Sequence, residues 1–195
     1  GLSYDHSDRF DGITTLRGTL HQGLSALGAS KNGAPMTSRT NGRSNFTKFT
    51  FDATRLQQLA PRTHVLASLT SQFTHKPLLA SEELSLGGST YGRGFDDGEI
   101  SGDNGYAVMA ELRHHPELLP RHAQLFGFVD AGRVWAAEGG AEPARRKLTS
   151  WGGGVRAQLG TQMFAALEIA KPMNTVVRTR DSKRPRAFLS VSAQF

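Results

Sequence analysis

The chain has 195 residues, a formal net charge of +6 and an apolar share of 37%. The apolar share is below that of an ordinary soluble domain, and no window approaches the ~18 consecutive apolar residues of a membrane-spanning helix. The absence of cysteine excludes a disulfide framework, a thiol nucleophile and cysteine-ligated zinc. The positive charge indicates a solvated basic surface or an anionic partner such as lipopolysaccharide, and its scatter along the chain disfavours nucleic-acid binding.

Apolar and polar residues alternate with a period of two along most of the chain, which is typical of β-strands. Turn formers and charges fill the connections between the alternating segments. The segments have about ten residues each, enough for a tilted strand to cross a bilayer. We predict one short helical turn in each of the ranges 55–61 and 114–122. The eight predicted strands cover 12–24, 45–56, 64–73, 106–114, 122–135, 150–160, 161–171 and 186–195.

The two faces of the later strands differ in polarity. One face is almost purely apolar, whereas the other carries small, polar or charged groups that include Glu111, Arg113, Arg156 and Glu168. A soluble sandwich needs apolar inward faces, while a polar interior suits a water-filled barrel surrounded by lipid. The sequence therefore predicts an all-β, transmembrane antiparallel β-barrel, with a soluble β-sandwich binding module as the alternative.

A glycine-rich stretch, LGGSTYGRGFDDGEISGD, interrupts the pattern at residues 86–103. It belongs to a long polar loop that we predict over about 76–103. Its four acids do not have the spacing of an EF-hand, so we interpret them as a solvated acidic loop rather than a calcium site. From the residues alone, Arg93 reads as an ordinary exposed loop arginine.

No pattern indicates a catalytic or metal site. His114 and His115 point to opposite faces of a strand, so they make a poor chelate. The glycines at 152–154 lack the Lys-Ser/Thr of a phosphate loop, and in a strand they let another group approach the wall closely. We predict no catalytic residue, no metal and no cofactor, and hence no enzyme. A lipid-hydrolase barrel, with a Ser-His pair on its outward face, remains the alternative from another class.

Five stretches, in this order, resemble the C-terminal half of the two-partner secretion transporters (TpsB). This is the haemolysin activator and filamentous haemagglutinin transporter family, in the superfamily of the barrel-assembly factor BamA. The resemblance covers about residues 10–195. The stretches are EELSLGGSTYGRGFDDGEISGDNGYAVMAELRH, FGFVDAGRVW, LTSWGGGVRAQLG, ALEIAKPM and AFLSVSAQF.

The resemblance implies that residues 1–195 are the C-terminal part of a sixteen-stranded barrel. About eight strands would lie in this chain, and the N-terminal barrel half and the periplasmic POTRA domains would lie outside it. It also implies export of an unfolded partner exoprotein across the outer membrane of a Gram-negative bacterium, without nucleotide hydrolysis. An outer-membrane barrel-assembly factor of the same superfamily is the alternative function.

The resemblance assigns a role to the loop. Arg93, Gly94 and Phe95 match the family's Arg-Gly-aromatic motif, which lies on a long extracellular loop that folds back into the barrel. Many members have Val before the arginine, where this chain has Gly92, and this leaves open how the loop packs one residue upstream.

The family partner of that arginine is the aspartate of a Phe-x-Asp-x-Gly motif on the inner wall, here Phe128, Asp130 and Gly132. We expect the guanidinium of Arg93 to pair with Asp130, because a bidentate pair would fix the loop tip in register. A turn residue is the alternative interpretation of Asp130.

Glu111, Arg113 and Phe195 also have predicted roles. Glu111 and Arg113 share the predicted lumen face, either as a charge pair that supports the loop or as solvated pore residues. Phe195 resembles the aromatic insertion signal that the barrel-assembly machinery reads. The expected partners are thus the exoprotein, the lipid bilayer with its lipopolysaccharide, and that machinery.

Overall fold

The computed structural model describes residues 1–26, 38–39, 41–118, 123–138, 145–160, 162–174 and 183–194. Within these ranges the only helical element is a single 3₁₀ turn, Ala80–Glu82. No helix among the described residues is long and apolar enough to cross a membrane. The strands are β1 (Leu2–Ser7), β2 (Gly12–Gln22), β3 (Thr47–Ala60), β4 (Thr63–Thr74), β5 (Leu84–Leu86), β6 (Ile100–Gly102), β7 (Asn104–His114), β8 (Ala123–Trp135), β9 (Arg145–Leu159), β10 (Met163–Pro172) and β11 (Arg186–Ala193).

Nine of the strands form one antiparallel sheet in the order β1-β2-β3-β4-β7-β8-β9-β10-β11. The two short strands, β5 and β6, form a separate hairpin within the connection between β4 and β7. The predicted all-β antiparallel architecture is confirmed. The described sheet has nine strands where about eight were predicted, because Leu2–Ser7 pairs along β2 as an additional strand.

The helical turn predicted over 55–61 is wrong. Arg55 pairs with Thr14 on one side and with Ala67 on the other, so the backbone stays in the sheet. Ladder hydrogen bonds on both sides leave no backbone groups for a helical turn. The other predicted turn, over 114–122, lies partly outside the described residues.

The sheet exposes its apolar face and buries its polar face, which is the reverse of a soluble protein. On β7, Tyr106, Val108 and Leu112 are 40%, 43% and 49% exposed, while Glu111 between them is fully buried. The same alternation continues along β8, where Val129 is exposed and its neighbour Asp130 is buried. A lipid-facing band of apolar residues with a polar interior is the signature of a membrane barrel.

The connections at the two ends of the sheet differ in length. Membrane barrels have short periplasmic turns and longer extracellular loops, so this difference orients the sheet. The long connections cover 23–46, 75–103, 136–144 and 173–185, and the short ones cover 8–11, 61–62, 115–122 and 160–162.

The long loop between β4 and β7 packs against the inner, polar-sided face of the sheet. Its residues Leu86, Phe95 and Ile100 join Val134 of β8 and Leu148 of β9 in one buried apolar cluster. The loop therefore has an apolar core of its own, and it lies on the wall rather than extending away from the strand ends.

Candidate functional site

Arg93 lies at the loop tip and is only 5% exposed. Gly92 before it has a φ of +80°, a left-handed conformation that favours glycine. The backbone N–H of Gly94, the residue after Arg93, donates to Ser150 Oγ of β9 at 3.1 Å. Gly92 thus allows the sharp turn that brings the arginine onto the wall.

The guanidinium of Arg93 has two carboxylate partners and one aromatic partner. Its Nη1 donates to Glu111 Oε2 at 2.7 Å and to Glu168 Oε2 at 3.4 Å. Its Cζ lies 4.0 Å from the centroid of the Phe128 ring. Arg93 Nε is buried without a hydrogen-bond partner. The arginine is therefore held by anions and by a ring face, as expected of a buried guanidinium.

The expected ion pair between the Arg93 guanidinium and Asp130 is wrong in its detail. Asp130 Oδ2 accepts the backbone N–H of Arg93 at 3.3 Å, and Oδ1 accepts the Ser150 hydroxyl. The cross-strand register explains the difference, because Glu111 lies opposite Phe128, two residues before Asp130 in β8. Two strand residues span about 6.7 Å, so the extended arginine side chain passes Asp130 and ends at Glu111.

Glu111 is the centre of a buried charge cluster. Besides Arg93, it accepts from Arg113 Nε at 2.8 Å and from Arg156 Nη1 and Nη2 at 2.8 and 3.1 Å. Of the two interpretations left open for Glu111 and Arg113, the structure has the charge pair, and Glu111 is buried rather than solvated. Sequence reasoning placed Arg156 and Glu168 on the polar face, but it did not bring them to Arg93, because that requires the register of β9 and β10.

The sequence of this chain also matches a known protein family. The model of the family described as "Haemolysin secretion/activation protein ShlB/FhaC/HecB" matches residues 1–157. This chain belongs to that family. The resemblance to two-partner secretion transporters is thereby confirmed, and with it the outer membrane of a Gram-negative bacterium as the location.

One relative and two solved structures support the family assignment. The outer membrane transporter CdiB of Dickeya dadantii (strain 3937) is 29% identical over 157 residues, which is 79% of this chain and 27% of that protein. The solved structure of CdiB from Escherichia coli has a TM-score of 0.78 at 21% identity over 98% of this chain and 35% of that one. CdiB from Acinetobacter baumannii has a TM-score of 0.63 at 20% identity, over 93% and 34%. The chain thus spans about a third or less of these relatives' length.

The structural likeness identifies the nine-stranded sheet as part of an outer-membrane β-barrel. The inner face of the sheet is then the lumen wall. Phe195, the predicted insertion signal, lies outside the described residues.

Two aromatic rings form the floor of the site in this ShlB/FhaC/HecB-family chain. Phe126 and Phe128 stack with centroids 6.4 Å apart and an interplanar angle of 20°. Arg156 lies over Phe126 at 3.8 Å, as Arg93 lies over Phe128. Opposite Phe128 in the register is Gly152, where an added Cβ would come within 2.8 Å of the ring. The glycine run in β9 therefore leaves room for the rings to lie on the wall.

We expect Gly152→Val to push the Phe128 ring off the wall and to loosen the docked loop, and also to strain the β9–β10 pairing, because an added Cβ would overlap the backbone carbonyl oxygen of Ile169. Overpacking of this kind costs about 1–3 kcal/mol. Urea unfolding and limited proteolysis of the loop in the folded barrel measure the two effects. Gly127→Val is the control, since Gly127 faces lipid on the neighbouring strand with only one atom, at 3.8 Å, near the position of an added Cβ. Equal stability and loop protection in the two variants would contradict the prediction.

Gly132, the last residue of the wall motif, has a packing role. A Cβ at this position would come within 2.6 Å of Leu86 Cδ1 in the loop. The three motif residues thus act differently on the loop: Phe128 stacks on the guanidinium, Asp130 accepts the backbone N–H, and Gly132 makes room for the β5–β6 hairpin.

The expectation of a solvated acidic loop is wrong for two of its four acids. Glu99 and Asp103 are 3% and 0% exposed. Asp103 accepts the N–H of Leu78 at 2.7 Å, the N–H of Ala137 at 2.9 Å and Arg39 Nη1 at 2.6 Å. One carboxylate thus ties the start of the long loop to its end and to two neighbouring extracellular connections. No group of His, Asp or Glu in the described part of the chain is arranged to hold a metal ion.

Tyr91 holds the opposite side of the loop tip. Its hydroxyl shares a hydrogen bond of 2.6 Å with Ser68 of β4. Burial raises the pKa of the Tyr91 phenol above its ordinary value, so the group stays neutral at physiological pH. The tip is therefore attached to both β4 and the β7–β10 part of the wall.

Proposed function

We propose that the full-length gene product exports a partner polypeptide through the lumen of its barrel, in two-partner (type V) secretion. The observation that carries the proposal is the burial of the loop tip on the lumen wall, where Arg93 has partners on β7, β8 and β10 and Gly94 has a partner on β9. A loop of about 30 residues attached in this way occupies space that a passing chain needs. The family and the relatives named as transporters support the same function.

The proposed work is conformational rather than catalytic. Release of Arg93 from Glu111 and Glu168 would free the loop tip, and its return would close the path. The proposal involves no cofactor, no nucleic acid and no chemical step on the substrate. The proposed partners are the exported exoprotein and the barrel-assembly machinery, which would read Phe195 during insertion.

Lipopolysaccharide is a further proposed partner, supported by a basic group on the lipid-facing side. Arg133 of β8 lies opposite Lys147 of β9 in the strand register, and Lys171 of β10 lies opposite Trp151 of β9. These cations face outward at the end with the long loops, next to the exposed aromatic ring of Tyr106. Cations next to interfacial aromatics suit the phosphates of an anionic leaflet.

Secretion assays on Arg93→Ala, Asp130→Ala and the double variant test the proposal. We expect each single change to reduce export of the exoprotein by about tenfold or more, because the proposed cycle needs the loop tip to close again after each passage and both residues hold the closed tip; the double change should be no worse than either. The measurement is secreted exoprotein from intact cells, normalised to folded barrel in the outer membrane.

Arg62→Ala is the matched control. Arg62 is a half-exposed arginine at the end with the short turns, with a single contact of 3.4 Å to Glu117. Its loss should leave export unchanged. Normal export by the Arg93 and Asp130 variants at normal barrel abundance would refute the role of the loop tip.

A further inference from the structure

The surroundings of Arg93 have the composition of a binding site for a guanidinium group. Glu111 and Glu168 supply carboxylate oxygens, and the Phe128 ring supplies a flat face 4.0 Å from the guanidinium carbon. A planar cation that donates in a fork and stacks on a ring matches all three partners. The site is occupied by a residue of the chain itself, Arg93.

Arg93 does not make all the hydrogen bonds that a guanidinium could make in this site. Its contact with Glu168 is long, at 3.4 Å, and its Nε is buried without a partner. The constraint comes from the backbone, because the N–H groups of Arg93 and Gly94 are already bonded to Asp130 and Ser150. A guanidinium that is free of this loop could approach Glu168 more closely.

A cavity gives access to the site. It has a volume of about 510 Å³ and is lined by Ser89, Arg93, Glu168, Phe188 and Ser190, among others. The Glu168 side chain keeps 19% of its surface exposed. A side chain in the lumen can therefore reach Glu168 before the loop tip moves.

The charges permit exchange of one cation for another. Glu111 keeps Arg113 and Arg156, at 2.8 Å each, when Arg93 leaves. A fourth guanidinium beside these three would be repelled, whereas a guanidinium that replaces Arg93 leaves the net charge unchanged. The geometry therefore favours displacement over simultaneous binding.

We propose that this site binds arginine side chains of the exported polypeptide, and that such an arginine displaces Arg93 and releases the loop tip. The proposal rests on the export function proposed above, and it names the chemistry that operates the loop. A lysine ammonium lacks the planar fork and stacks less well, so arginine should be preferred by about fivefold or more.

A spin label on the loop tip tests displacement in the full-length gene product, purified and reconstituted in lipid. The label is placed at Ser89→Cys, which is exposed and lines the cavity; these 195 residues hold no other cysteine, and any cysteine elsewhere in the gene product is replaced by serine. Arginine amide is the probe and lysine amide its control. We expect arginine amide to increase the mobility of the label, with a half-maximal concentration about fivefold or more below that of lysine amide.

Direct binding to the Arg93→Ala variant gives a second readout. With the internal arginine removed, arginine amide should bind more tightly than to the native protein in calorimetry. Adding Glu168→Gln should weaken that binding by about fivefold or more, since one of the two anions is lost. Glu117→Gln, an exposed acid at the opposite end of the sheet, should leave it unchanged.

The outcomes separate the two proposals. If arginine amide neither mobilises the label nor binds Arg93→Ala, or if lysine amide acts equally well, the guanidinium site is refuted. Export lost in Arg93→Ala would still support the gate in that case. If Arg93→Ala exports normally while arginine amide binds it, the site exists but the proposed function fails.

Discussion

Glu111→Gln is expected to destabilise the folded barrel by about 3–5 kcal/mol, the largest effect of any single substitution in the site. The change keeps the shape of the side chain and removes its charge. Arg93, Arg113 and Arg156 then share a patch from which their common anion has gone. Water can reach Arg113 and Arg156, whose side chains are partly exposed, but hardly Arg93, so the buried arginine carries most of the cost. Urea unfolding in lipid, followed by gel mobility of folded and unfolded barrel, measures the loss.

Glu168→Gln is the control for Glu111. Glu168 faces the same arginine, but at 3.4 Å and with a partly exposed side chain. A weak, partly solvated pair contributes about 1 kcal/mol or less. The two variants should therefore differ clearly in stability, and equal losses would mean that Glu111 is not the centre of the cluster.

Asp103→Ala is expected to lower the free energy of unfolding by about 2–4 kcal/mol, the second largest effect, because it loosens the extracellular end of the barrel. The change leaves the N–H groups of Leu78 and Ala137 and the guanidinium of Arg39 without their shared acceptor. Buried donors that lose a charged acceptor carry the full cost of desolvation. Hydrogen exchange at residues 75–103 should rise at both ends of the loop, because Asp103 joins them.

A second acid of the same loop provides the comparison for Asp103. Asp97 is exposed, and its replacement by Ala should change stability by no more than about 0.5 kcal/mol. Faster exchange confined to the loop tip, with protected loop ends in Asp103→Ala, would show that Asp103 does not hold the two ends together.

The faces of the strands could be predicted from the sequence because alternation is a local property. Two residues an even distance apart on a strand share a face wherever the strand lies. This is why Phe128, Asp130 and Glu111 were expected on the lumen side, where the structure places them. The strand β1 escaped prediction because six residues carry too short a pattern.

The partners within the site could not be predicted, because they depend on register between strands. Arg93 meets Glu111 rather than Asp130 only because Glu111 lies opposite Phe128. The approach of Arg156 and Glu168 depends in the same way on the pairing of β8, β9 and β10. Asp103 reads as a surface acid in sequence, since its three donors come from the far end of its own loop and from two other connections.

The three arginines around Glu111 also bear on how the proposed channel returns to rest. Once Arg93 has left, Arg113 and Arg156 still neutralise Glu111, so opening leaves this carboxylate paired. Opening therefore costs less than it would if the departure of Arg93 left Glu111 without a cation. In the proposed cycle, Arg93 would return to a carboxylate that is already neutralised, so its hydrogen bond to Glu111 and its contact with the Phe128 ring would guide re-closing rather than relief of an unpaired charge.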